Sequence, residues 1–213
     1  MSAHKPGSDS SPVPGNAPLD DDEREGLIPS HILSRSELNQ WEAVNIGHAR
    51  DWLAGRRSRD VLSVEFLCEL HRRMFDETWK RAGTLRRSEK TISPHGWPDV
   101  PRLLDDLVEN TRVQYDSSGK APEAADEAAD EAADEIAMRF HHGLVRIHPW
   151  PNGNGRHGRV ATDLLLEQWG RPPFTWGGAG NLLATGTARA RYIAALETAD
   201  GGEFAPLRSF VRS

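Results

Sequence analysis

His148-Pro149-Trp150-Pro151-Asn152-Gly153-Asn154-Gly155-Arg156-His157-Gly158-Arg159 is the stretch on which the reading turns. It lies between two helical patterns. Upstream, Ile136, Phe140, Leu144 and Ile147 recur at spacings of three and four and make one apolar face. Downstream, Val160, Leu164 and Leu165 mark a second helix from about Arg156 to Trp169, stopped by Gly170 ahead of Pro172-Pro173. The amides of the loop therefore precede a helix N-terminus, where unpaired N–H groups and the positive dipole end favour an anion. Gly153 and Gly155 permit positive φ and a close approach of backbone to ligand. Successive amides in such a turn form a phosphate-sized nest. Arg156 and Arg159, three apart, put both guanidinium groups on one side, and arginine suits bidentate contact with phosphate. His148 stands at the loop entrance, where a neutral imidazole can accept a proton from an incoming hydroxyl. The bland alternative is a Gly- and Asn-rich turn with solvated arginines. The convergence of these residue types within one short loop argues against it.

Working outward, Ser34 with Glu37 three residues on is a capping-box signature. Leu38, Trp41, Asn45, Ala49 and Trp52 follow as a one-faced stripe. Ser63 can cap the next helix, with Phe66, Leu67, Leu70 and Met74 on its apolar side and Cys68 read as core rather than nucleophile. Residues 81–99 break the periodicity and read as a loop containing a short hairpin. Pro101 suits the first turn of a helix carrying Leu103, Leu104, Leu107 and Val108. Glu-Ala-Ala-Asp then occurs three times over Glu123–Asp134, with like charges at i, i+4. It reads as a solvated expansion of the helix that follows. A last long helix, Thr187 to Ala199, should turn Tyr192, Ile193 and Leu196 inward, and Leu207, Phe210 and Val211 suggest a short closing helix.

Composition bounds the function. The chain has 213 residues, with 26 Lys+Arg against 32 Asp+Glu and a formal charge of −6. An acidic chain lacks the basic surface that non-specific nucleic-acid binding needs. One cysteine excludes an internal disulfide framework and a Cys-based zinc site. No apolar run reaches the roughly 18 residues of a spanning helix, and the N-terminus has no signal-type apolar stretch. The expectation is a single-domain, soluble, cytoplasmic protein without membrane attachment.

The loop resembles the Fic (Fido) motif, His-Pro-Phe-x-Asp/Glu-Gly-Asn-Gly-Arg-x-x-Arg. Trp150 replaces the Phe, and Asn152 replaces the acidic residue. The resemblance extends from roughly Val61 to Leu207. The stretches LSVEFLCELHRRMF, RAGTLRR and DEIAMRFHHGLVRIHPWPNGNGRHGR, with ELNQWEAVNI nearer the N-terminus, look like the Fic branch called mobile mystery protein B. The resemblance implies a mostly α-helical Fic fold with a small β-hairpin flap. The chain then divides into a disordered tail (1–26), an N-terminal helical extension (27–60) and the Fic domain (61–208).

The implied activity is transfer of a nucleotide moiety, usually AMP from ATP, to a Ser, Thr or Tyr hydroxyl of a target protein. His148 would be the general base. Gly153, Asn154 and Gly155 would line the anion hole, Arg156 would hold the β-phosphate and Arg159 the γ-phosphate. Residue 152 would bind Mg²⁺, but an amide oxygen brings no negative charge to a hard cation. The loop at 86–97 would be the target-clamping flap, with Ile92 as its apolar contact. Two alternatives stay open: a nucleotide-binding Fic-like protein whose transfer is weakened by Asn152, and a Doc-like phosphotransferase.

Many Fic proteins are silenced by a helix carrying Ser/Thr-x-x-x-Glu-Gly/Asn, whose Glu pairs with the second motif arginine. No Ser or Thr here has Glu four residues on. Inhibition is therefore expected from a separate partner protein, and the resemblance to the mobile mystery protein B branch implies a helix-turn-helix companion in a toxin–antitoxin-like pair. The rival is an in-chain clamp by Glu37 or Glu42 on Arg159. His141 and His142 face different directions and read as packed rather than metal-binding. Trp97 and Trp176 read as core, with the flap or an adenine pocket as the alternative.

Overall fold

The structure is a computed structural model that describes residues 21–55, 59–118, 127–178, 182 and 186–213. Among these, the helices are α1 (Asp21–Gly26), α2 (Arg35–Ala54), α3 (Val64–Phe75), α4 (Val100–Ser117), α5 (Glu127–Ile147), α6 (Asn154–Gln168), α7 (Thr187–Asp200) and α8 (Ala205–Val211). The fold is helical, as the periodicity requires. Its local signals operate as written. Ser34 accepts from the Glu37 amide at 3.3 Å while Glu37 accepts from the Ser34 amide at 2.9 Å. Ser63 accepts from the Phe66 amide at 3.2 Å, and Pro101 sits in the first turn of α4. No described helix is long and apolar enough to cross a membrane.

Two apolar clusters organise the helices. Leu67, Leu70, Met74, Phe140, Leu144 and Leu165 belong to one. Met138, Leu166, Phe174, Trp176, Tyr192 and Phe210 belong to the other. Helix α5 serves both, with Phe140 and Leu144 in the first and Ala137 and Met138 in the second. Its C-terminal end is thereby fixed from two sides, and that end carries His148.

Four expectations change. Residues 1–20 lie outside the described residues, and Asp21–Gly26 is a short helix rather than the end of a tail. The 81–99 segment contains no strand pairing. It is a string of turns closing in a single 3₁₀ turn at Trp97–Asp99. An isolated antiparallel β-bridge joins Leu27 to Trp79. The hairpin is missing because the flap carbonyls of Ser88 and His95 are taken by the Arg86 guanidinium instead of a strand partner. The acidic repeat is not simply solvated. Asp134 accepts from Arg212 Nε at 2.6 Å, Glu135 pairs with Arg139 and Arg208, and Asp130 pairs with Arg171. The Arg208 and Arg212 pairs tie the start of α5 to α8 and the residue after it, and the Arg171 pair ties it to the segment after α6. Finally, Ile193 is exposed, while Tyr192 and Ala195 face inward.

Candidate active site

The loop between α5 and α6 is held by groups that leave its ligand-facing side open. At its entrance His148 has φ 53°, a left-handed conformation that costs a non-glycine residue roughly 1–2 kcal/mol. Its carbonyl accepts from Arg86 Nε at 2.8 Å, which holds the turn. Burial pushes the His148 imidazole down to about 4, helped by the charges of Lys90 and Arg86, while the Val145 carbonyl pulls the other way. The ring is neutral at pH 7, the state a proton acceptor needs.

Trp150 is fully buried. Its ring stacks on His71 with centroids 4.5 Å apart and lies 4.2 Å from His157. His71 bridges two backbones. Its Nδ1 accepts from the Gly83 amide at 2.9 Å, so Nε2 carries the proton and donates to the Asn152 carbonyl at 3.0 Å. Burial pushes His71 down to about 3, so it stays a neutral bridge. His157 contacts the Leu67 carbonyl through Nε2 at 3.0 Å. Asn154 folds its side chain back onto the loop, accepting from the Trp150 amide at 3.0 Å and donating to the Trp150 carbonyl at 2.7 Å. It can offer an anion only its backbone N–H.

Gly153 caps α6 with φ 78° and no side-chain capping bond. A Cβ there would meet the Phe75 ring at 2.7 Å, so only glycine fits. The first amides of α6 are left to a ligand. Gly155 faces Arg159: a Cβ on it would lie 3.8 Å from Arg159 Nη1. Arg159 also sits over the Tyr192 ring, 5.6 Å from its centroid.

The two arginines do not share one set of partners, contrary to the spacing argument. Arg156 turns toward α2, where Nη1 pairs with Glu42 and Nη2 donates to Asn39. Glu42 is only 2% exposed, and its other oxygen accepts from Trp79 Nε1 at 2.9 Å. The rival reading, an in-chain clamp on Arg159, is not what forms: Glu42 pairs with Arg156 instead, and Glu37 is used as a helix cap. Burial, with Arg159, Arg189 and Arg35 nearby, pulls Arg156 down to about 10, so it remains a cation.

Asn152 lies under a strap. Ile28 N–H donates to the Thr78 carbonyl and Lys80 N–H to the Gly26 carbonyl, each at 3.0 Å. A Cβ on Gly26 would lie 3.4 Å from the Trp79 ring and 3.8 Å from Asn152 Nδ2. Ile92 projects from the flap with 71% of its surface exposed. It joins the motif only through its neighbours, since Ser93 Oγ donates to the Arg146 carbonyl at 3.0 Å. Trp176 belongs to the core, its Nε1 donating to Asp163 at 2.9 Å. His141 contacts the Tyr192 hydroxyl and His142 contacts Asp200, each at 2.9 Å.

Two groups that shape the site, His71 and Arg86, escaped the sequence argument, and for Glu42 it missed the partner, Arg156 in place of Arg159. The signal for His71 was an imidazole beside Leu70 and Met74 on an apolar stripe. Glu42 had a similar signal, falling between Trp41 and Asn45 on the inward face of α2. Arg86 had none that distinguishes it from Arg87.

Residues 61–166 match the Fic/DOC family. They form a Fic/DOC domain. The chain is 29% identical over 153 residues to "Protein adenylyltransferase fic-1" of Caenorhabditis briggsae, covering 71% of this chain and 26% of that protein. It is 28% identical over 184 residues to "Protein adenylyltransferase Fic" of Nematostella vectensis, covering 84% and 39%. The chain thus spans only about a quarter to two fifths of the length of these curated relatives. Among solved structures, BepC of Bartonella tribocorum with bound AMPPNP superposes with a TM-score of 0.61 at 15% identity, over 83% of this chain and 85% of that one. Fic-1 from C. elegans superposes with a TM-score of 0.56 at 24% identity, over 84% and 47%. These likenesses establish the fold. The matched span, residues 61–166, includes the loop between α5 and α6.

Proposed function

We propose that this Fic domain transfers AMP from ATP to a hydroxyl side chain of a protein. The observation that carries the reading is a neutral imidazole, His148, at the mouth of an uncapped α6 N-terminus against which Arg159 is laid. The protein adenylyltransferase names of the relatives support it. In the reaction, His148 takes the proton of the target hydroxyl, and that oxygen attacks the α-phosphorus. The bond from the α-phosphorus to the bridging oxygen breaks, and pyrophosphate leaves. The amides of Asn154 and Gly155 bind the transferred phosphate, Arg159 the γ-phosphate and Arg156 the β-phosphate once Glu42 releases it. Such positioning and charge stabilisation is most of what phosphoryl chemistry asks of a protein. Ile92 on the flap would contact the target.

For Mg²⁺ the protein offers the neutral amide oxygen of Asn152. That donor set fits a cation carried mainly by the triphosphate, since Mg²⁺ is commonly held by few protein ligands plus substrate phosphates. The metal would supply charge neutralisation on the phosphates, and it enters as part of the Mg·ATP substrate.

A second reading, a nucleotide-binding protein with transfer held low, is favoured by the Glu42–Arg156 pair, which occupies a phosphate ligand. ATP labelled separately at the α- and γ-phosphates tests both. α-Label on protein, abolished in His148→Ala, is the expected result. γ-Label on protein would mean a phosphotransferase, and ATP binding without label would favour the second reading.

A further inference from the structure

Arg86 is the most completely buried cation in the molecule's described part, with none of its side chain exposed. Its only ion pair among the described residues is a 4.0 Å contact to Glu89, which is 69% exposed and therefore screened by water. The guanidinium instead spends its donors on backbone. Nε donates to the His148 carbonyl at 2.8 Å, Nη1 to the Ser88 carbonyl at 2.9 Å, and Nη2 to the His95 carbonyl at 2.7 Å. Nη2 also reaches the Ile147 carbonyl and Ser93 Oγ, each at 3.3 Å. The Arg86 backbone N–H donates to the Pro149 carbonyl at 2.8 Å. The cation thus sits on the negative C-terminal end of α5 and grips both ends of the flap at once.

We propose that Arg86 is a positioning residue that locks the flap and the His148 turn into one unit, so that the surface meeting the target and the imidazole meeting its hydroxyl cannot move independently. The proposal rests on His148 being the base only for its catalytic meaning. The mechanical lock stands on the bonds above. Lysine cannot replace it, because one ammonium lacks the planar five-donor fork needed to reach carbonyls on opposite sides. A second strut, Ser93 Oγ to the Arg146 and Ile147 carbonyls at 3.0 and 3.1 Å, joins the flap to α5 without touching the His148 carbonyl.

The test is amide hydrogen exchange combined with an NMR titration of the His148 ring, neither of which needs turnover. In Arg86→Lys, flap amides 87–96 should exchange about tenfold faster or more, while α3 and α6 keep wild-type protection. The charge is retained, so any rise in the His148 pKa in this variant reports lost burial of the ring as its turn loosens, not lost charge. In Arg86→Gln the flap should loosen likewise, and the His148 pKa should rise. Lys90 is then the remaining cation facing the ring, opposed by the Val145 carbonyl. Ser93→Ala should loosen the flap less than Arg86→Lys and leave the His148 titration unmoved. Unchanged flap exchange in Arg86→Lys would overturn the lock. So would acceleration spread evenly through the domain, loss of folding in both Arg86 variants, or a Ser93→Ala effect as large as that of Arg86→Lys. Absence of AMP transfer with the exchange pattern intact would count against the proposed function alone.

Discussion

The motif loop and the segment that covers it are held by opposite means. Beyond His148, whose carbonyl Arg86 holds, the loop rests on neutral, buried contacts: His71 on the Asn152 carbonyl, His157 on the Leu67 carbonyl, Asn154 on Trp150, and a stack of rings. The cover, α2 with the strap at residues 26–28, is seated in the core through Leu27, Leu38, Ala49 and Leu53, but it meets the motif's arginines through one buried charge pair, Glu42 with Arg156. It also leaves Ile28, Leu33 and Val44 exposed. A frame of neutral contacts has no charged competitor. A carboxylate on Arg156, the arginine proposed above for the β-phosphate, would compete with that ligand. The difference is that a ligand phosphate can compete for the Arg156 pair while the neutral contacts of the loop and the apolar seat of α2 stay as they are.

The largest effect should come from breaking the cover's charge pair. In Glu42→Ala, Arg156 loses its carboxylate, and ATP should bind about tenfold tighter or more, equivalent to about 1.4 kcal/mol. The change leaves Trp79 Nε1 without its acceptor, which costs roughly 1–3 kcal/mol of stability. Tighter binding with a lower melting temperature is therefore the expected pair of results by calorimetry. Equal ATP affinity in the two proteins would mean that the carboxylate does not compete.

Asn152 lies at the seam between loop and cover and sharpens the comparison. Its carbonyl belongs to the loop's frame, whereas its side chain lies beside Gly26 of the strap. Asn152→Asp keeps the shape and adds a charge suited to Mg²⁺. Transfer measured against Mg²⁺ concentration should rise several-fold, reaching its half-maximum at lower metal. An unchanged metal dependence would show that the triphosphate alone holds the cation.

How much of this was legible beforehand follows the same division. Helices, caps and the motif glycines are written in local sequence. Ser34 with Glu37, Ser63 and Pro101 each act within one turn, and Gly153 is required both by its φ and by Phe75. The partners of the charged side chains were not legible. Three-residue spacing put Arg156 and Arg159 on one side, but Glu42 from α2 and Tyr192 from α7 decide where they point. Arg86 and Arg87 are indistinguishable in sequence, yet the fold buries the first and exposes the second. The flap was misread as a hairpin because hydrogen bonds to a guanidinium leave no periodic signature.

Acid should attack the loop's frame first. Burial pushes His71 and His141 down to about 3 and His148 to about 4, against an ordinary 6.5. Between those limits the unfolded chain binds protons that the native fold refuses. The stability tied to these imidazoles is therefore complete above about pH 6.5 and is lost as pH falls toward about 3. Asp163 opposes this: burial raises it from 3.8 to about 6. Its contribution is complete below about 3.8 and is lost as pH rises through about 6. Three histidines outweigh one aspartate, so melting temperature should fall from pH 6 to pH 4. Asp163→Asn removes the opposing group while keeping an acceptor for Trp176. It should stabilise the protein by up to about 2 kcal/mol at pH 7 and by little at pH 4.

The smallest effect concerns the residue where this loop departs from the Phe of the family motif. Trp150 is fully buried and its indole N–H has no acceptor among the described residues. Trp150→Phe removes that orphan donor, a relief of roughly 1–3 kcal/mol. It also leaves a void beside His71 and His157, at about 24 cal/mol per Å³ of cavity. The two terms oppose, so the urea midpoint should shift by less than about 1 kcal/mol of stability, with transfer nearly unchanged. Trp150→Ala has no compensating term and should cost roughly 3–5 kcal/mol. A large loss in Trp150→Phe would mean that the extra ring, rather than aromatic packing as such, keeps His71 on the Asn152 carbonyl. The loop's rigidity would then depend on the full indole stack.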